Sequence, residues 1–128
     1  MRRIVLDARY SVMTSALTMA LKQGRPDFQV QNAGPKTKDI VKLCRSCRAD
    51  ILLLEVCPHP PRTLQDRLLL ANDLRDVCPY CKTVLLVDEA EYPELATAVC
   101  LAKKDHIVDD FVCASVSPAY LSAMIDSL

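Results

Sequence analysis

The chain has 128 residues, 51% of them hydrophobic and 25% charged, with 16 basic and 16 acidic side chains that cancel to a net charge of zero. That length suits one domain able to bury about two-thirds of its unfolded surface, and the charge balance excludes both the basic excess of a nucleic-acid binder and the profile of a disordered tail. No apolar run approaches the roughly 20 residues needed to span a bilayer, and MRRIVLDARY enters a strand pattern directly, so no membrane partner and a cytoplasmic location are expected.

In chain order, the sequence repeats a strand followed by a helix. Arg3 to Leu6 reads as a first strand, and Ser11 to Lys22 as a helix with Val12, Met13, Ala16, Leu17, Ala20 and Leu21 at helical spacing. Gly24 then stands where a helix stop belongs. Phe28 to Gln31 predicts a short second strand, and Lys36 to Arg48 a second helix with Ile40, Val41, Leu43, Cys44 and Cys47 inward. Ile51 to Leu54 is an apolar run without alternation, as in a strand covered on both faces, and it stops at the carboxylate of Glu55 before a proline-broken loop. Thr63 to Val77 predicts a third helix with Leu64, Leu68, Leu69 and Leu74 buried. Thr83 to Val87 is a fourth unalternating strand, Glu91 to Lys104 a fourth helix ending in two lysines, and Ile107 to Cys113 a fifth strand. Ser117 and Pro118 open a last helix as cap and first residue, running to Leu128. Five such units with short links predict an α/β fold with a parallel sheet and helices on both faces. Ligands of such sheets sit beyond the carboxyl ends of the strands, which places Glu55 where chemistry would be.

Three stretches carry a family resemblance over nearly the whole chain. IVLDARYSVMTSALTMAL, ADILLLEV and DDFVCASVSPAYLSAMI resemble, in turn, the first strand and helix, the third strand with its phosphoacceptor, and the fifth strand and last helix of response-regulator receiver domains. The likeness is to the CheY-like receivers usually joined to LuxR-type helix-turn-helix domains. It implies a flavodoxin-like (βα)5 fold with strand order 2-1-3-4-5. It also implies that residues 1–128 are the N-terminal regulatory domain of a longer protein in two-component signal transduction, a phosphorelay controlling transcription.

The same resemblance implies a pocket that this chain has altered. Receivers hold magnesium with an acidic pair after the first strand and a phosphoacceptor aspartate after the third; a small hydroxyl residue ends the fourth strand and a lysine the fifth. Here the acidic pair falls on Ala8 and Arg9 with Asp7 one residue early, the phosphoacceptor on Glu55, the hydroxyl on Val87 or Asp88 and the lysine on Ala114. Magnesium needs well-placed oxygens, so no cofactor is expected, and in-line phosphoryl transfer has lost its metal and charge clamp. The expectation is a non-enzymatic pseudo-receiver, with Glu55 and Arg9 neutralising each other or Glu55 standing in for a phosphorylated aspartate. It would act through a partner protein or as a homodimer, by a face including Leu101, Lys103, Lys104, Asp109, Asp110, Tyr120 and Met124, self-complementary in charge. DNA would be reached only through a separate output domain. A phosphorylation-competent receiver with an altered pocket remains the alternative.

Seven cysteines include two knuckle-like pairs, Cys44-x-x-Cys47 and Cys78-x-x-Cys81, at the ends of the second and third helices. Neighbouring strands follow them, so the four thiols meet at the end of the sheet opposite Glu55, where they read either as core cysteines or as a zinc or redox-sensing cluster. Cys78-Pro79-Tyr80-Cys81 also spells a glutaredoxin motif, but its first cysteine follows a helix instead of opening one, so no helix dipole lowers its pKa. His59 beside Cys57 reads as a loop residue among prolines, and His106 as a turn.

Overall fold

The computed structural model describes residues 2–34 and 39–128. Its elements are β1 (Arg3–Asp7), α1 (Ser11–Gly24), β2 (Gln29–Asn32), α2 (Ile40–Cys47), β3 (Ile51–Val56), α3 (Leu64–Val77), β4 (Lys82–Val87), α4 (Pro93–Lys104), β5 (Asp110–Cys113) and α5 (Pro118–Asp126). All strand pairs are parallel, and the sheet order is β2-β1-β3-β4-β5, as the resemblance implied.

The unalternating strands are unalternating because both faces of the sheet are covered. Leu52, Leu54 and Val56 of β3 point into one core with Val5, Leu85 and Val87, under α2, α3 and α4. Ile51 and Leu53 point into the other with Ile4, Leu6, Val84 and Leu86, under α1 and α5. Ile51, Leu52, Leu53 and Leu54 are all completely buried, and each such side chain stabilises the fold by about 1.5–3 kcal/mol.

Local sequence sets the helix ends. Thr63 caps α3 in a reciprocal box with Asp66, each side chain accepting from the other's backbone N–H. Ser117 accepts from the Tyr120 amide with Pro118 in the first turn of α5, and Asp39 accepts from the Lys42 amide at the start of α2.

Several boundaries differ from the sequence expectation. The part of the second predicted helix on Lys36, Thr37 and Lys38 lies outside the described residues; within them the helix begins at Ile40 after its Asp39 cap. The fifth strand begins at Asp110, because residues 105–109 turn first: His106 adopts φ 59° and Ile107 is exposed. Gly24 is the last residue of α1, not a stop beyond it. A Cβ there would lie 2.6 Å from Ser122 Oγ, so glycine is required by the close crossing of α1 and α5. Val12 and Leu69, expected inward, are 80% and 61% exposed. In α3 the inward position next to Leu68 is taken by Arg67, which is buried to 2%.

Candidate functional site

β1 ends on Asp7, which lies in register with Leu54, one residue short of Glu55. Alternation along β1 sends Asp7 to the same side as Val5, beneath α3 and away from the pocket at the strand ends. Arg67 meets it there: its Nη2 donates to Asp7 Oδ2 at 2.7 Å and its Nε to the backbone carbonyl of Glu55 at 2.8 Å. Arg62, from the loop after β3, donates to Asp7 Oδ1 at 3.3 Å. Both carboxylate oxygens of Asp7 are therefore held by guanidinium groups. Burial lowers the pKa of Arg67, and the hydrogen bond and charge of Asp7 oppose that shift.

Glu55 is half-buried at the end of β3 and lines a small cavity of about 140 Å³ with Arg9, Tyr10, Asp88, Tyr92 and Ala114. Arg9 meets Glu55 through its backbone N–H and not its side chain, whose guanidinium lies over the Tyr10 ring, 4.9 Å from the centroid. The expected side-chain neutralisation of Glu55 by Arg9 is thus corrected. Ala8 is buried among the α1-side core residues. Of the two candidates for the hydroxyl position, Val87 is buried in the α3-side core and Asp88 lines the cavity, its Oδ1 accepting from the Glu91 amide at 3.2 Å. Ala114 donates its amide to the Val87 carbonyl at 2.9 Å and is exposed at the rim.

Sequence reasoning missed Glu89, Arg62 and Arg67. The Ser115 hydroxyl, then the amides of Glu89 itself and Ala114, hold the Glu89 carboxyl below its ordinary range, while its Oε2 is buried without a hydrogen-bond partner. Arg67 could have been found as a charge at an apolar position of the α3 stripe, which demands a buried anion.

The four paired cysteines do converge at the opposite end of the sheet. Cys44, Cys78 and Cys81 are buried in one core with Cys47 packed against it. The neighbouring Cys81 thiol lowers the pKa of Cys44, and the Cys44 thiol together with burial raises that of Cys81. Burial raises that of Cys47. Among the described residues, no group of three or more His, Cys, Asp or Glu is arranged to hold a metal ion. All seven thiols are free. Cys57 donates to the backbone carbonyl of His59, not to the imidazole, and His59 is exposed.

On the face expected to make contacts, Leu101 and Tyr120 are 54% and 58% exposed and Met124 is half-buried. Lys103 pairs with Asp110 at 2.9 Å and lies over Phe111. Lys104 is exposed, whereas the Asp109 carboxylate turns back to accept from the Thr83 amide at 2.8 Å. No helix is long and apolar enough to cross a membrane among the described residues.

No family model and no curated protein matches the sequence. Solved structures do match over its whole length. A CheY-like protein, TadZ, from Pseudomonas aeruginosa is 18% identical with a TM-score of 0.75, covering 99% of this chain and 98% of that one. A DNA-binding response regulator of the LuxR family from Staphylococcus aureus is 17% identical at 0.71, covering 99% and 98%. A response regulator receiver domain protein from Clostridium thermocellum is 15% identical at 0.74, covering 99% and 93%. By strand order, helix placement and full-length superposition, this chain has the fold of the CheY-like response-regulator receiver domains.

Proposed function

We propose that the chain is a pseudo-receiver: a non-enzymatic signalling module that works by protein contact without phosphorylation. The observation that carries this reading is the position of Asp7, whose two oxygens are engaged by Arg62 and Arg67 on the α3 side of the sheet. A magnesium ion near Glu55 would find no second free carboxylate from β1, and it would face Arg9. Asp88 and Glu91 line the same cavity, but among the described residues no group of three or more such ligands is arranged to hold an ion, as a small cation demanding near-octahedral oxygens requires. Glu55 in place of aspartate, and Ala114 in place of the lysine that receivers carry, support the same reading.

A titration of backbone amide resonances with magnesium, then magnesium plus beryllofluoride, tests it. Resonances of Asp7, Glu55 and Ala114 should stay in place; saturable shifts spreading into α4 would overturn the proposal. The contact surface on this reading is the α4–β5–α5 face, whose apolar centre of Leu101 and Tyr120 is rimmed by the Lys103–Asp110 pair. Sedimentation should show a concentration-dependent dimer that Tyr120→Glu abolishes, and a monomer at all concentrations would remove the homodimer from the proposal. Output to DNA would pass through a separate domain; one chain that shares the fold belongs to a DNA-binding response regulator of the LuxR family. A cytoplasmic location belongs to the same reading.

A further inference from the structure

At the pole of the sheet opposite Glu55, three arginines from two segments distant in sequence line one open cleft of about 580 Å³: Arg3 at the start of β1, and Arg45 and Arg48 at the end of α2. Tyr80, 54% exposed, and Asp50 complete it. None of the three guanidinium groups has an ion-pair partner among the described residues. The one carboxylate present, Asp50, already accepts from the Arg3 amide at 2.9 Å through Oδ2. Arg3 and Arg48 are shared with a second cleft of about 430 Å³, lined also by the side-chain amides of Gln29 and Gln31 and by Ser46. Spaces of this size hold small organic ligands.

Two bland explanations fall short. The negative end of the α2 dipole favours basic side chains near the last turn, but it amounts to about half a charge, against three cations and one carboxylate. Nor is Arg48 placed by backbone preference. It occupies the left-handed region at the helix end, φ 54° and ψ 51°, where glycine is favoured and a bulky side chain costs stability. The fold tolerates an arginine there, aimed at a cleft that already holds two others.

We propose that this paired cleft is a nucleotide-binding site. Arg3, Arg45 and Arg48 take the phosphates, for which the planar guanidinium fork is suited. The Tyr80 ring offers a face to the base, and Gln29 and Gln31 offer donors and acceptors to its edge or to the sugar. This site is independent of the Glu55 pocket and of the proposed pseudo-receiver role.

Amide titrations of the full chain at low salt, with ADP, pyrophosphate and inorganic phosphate in separate arms, test the assignment. ADP should give saturable shifts at Arg3, Arg48 and Tyr80, tighter than pyrophosphate, and weakening as salt screens the arginines. Arg48→Gly removes a guanidinium while giving the backbone the residue it prefers, so folding is preserved; affinity should fall about tenfold or more, since charge-assisted bonds to phosphate are strong. Arg45→Gln should act in the same direction, and Lys22→Gln on α1 should not. Pyrophosphate binding as tightly as ADP would overturn the nucleotide assignment. No saturable shift with any probe, or ADP affinity unaltered in Arg48→Gly, would overturn the site.

Discussion

Replacing Asp7 with asparagine tests the buried network directly. Arg67 is 2% exposed, and its Nη2 bond to Asp7 is the shorter of the two bonds it makes. Asparagine leaves the guanidinium at most a neutral amide acceptor beside the Glu55 carbonyl, so it remains buried with its charge uncompensated. Breaking a buried pair by removing one partner costs about 3–5 kcal/mol. Arg62, partly solvated, recovers some hydration on release, which places the expected loss near the lower bound, about 3 kcal/mol. For 128 residues at about 2.1 cal/mol/K of unfolding entropy each, that lowers the melting temperature by about 10 °C. Urea unfolding followed by circular dichroism measures it, together with Asp7→Leu, Arg67→Leu and the double substitution of both. The double variant should be more stable than the sum of the single losses by about 2 kcal/mol or more, since no charge is left buried alone. A loss below about 1 kcal/mol for Asp7→Asn, or strict additivity, would refute the network as described.

Thr63→Ala removes the α3 capping box and should cost about 1 kcal/mol in the same assay, with a larger loss of amide protection in the first turn than elsewhere. Gly24→Ala should destabilise by about 1–3 kcal/mol because the added methyl meets the Ser122 side chain, and Ser122→Gly should restore part of it. Glu89 titrates lower in the folded chain than its ordinary value of 4.5, so its contribution is present above that pH and lost as pH falls through the folded pKa. Glu89→Gln should therefore flatten the acid limb of the stability profile, and an unchanged limb would exclude the contacts with Ser115 and Ala114. Lys103 is raised above 10.5 by the Asp110 carboxylate, so the stabilisation is complete below that value and lost in stronger alkali; Asp110→Asn should remove this alkaline dependence.

A parallel sheet was legible in unalternating apolar runs such as Ile51 to Leu54 and Thr83 to Val87, whereas the order of its strands came from the family resemblance. Helices were legible in their cores but not at their ends. Leu69 and Val12 were expected inward, because an apolar letter at helical spacing says nothing about whether a neighbour covers it. The same habit hid Arg67, although a charge standing in the apolar stripe of α3 already called for a buried anion. The first strand was read as ending at Leu6, one residue short of its true end at Asp7. The role of Arg9 was misread, since a backbone amide contact leaves no trace in residue type. The cleft of Arg3, Arg45 and Arg48 joins positions up to 45 residues apart, and no local window contains it.

The burial of Ala8 opposes an acidic side chain at that position. Its small side chain is 8% exposed and packed among apolar residues on the α1 side. A carboxylate introduced there by Ala8→Asp would have to be desolvated before any metal could reward it, while Asp7 stayed clamped by its two arginines. Restoring aspartate at Glu55 alone would leave both obstacles standing. On the proposed reading, a metal pocket could be built here only through several substitutions made together.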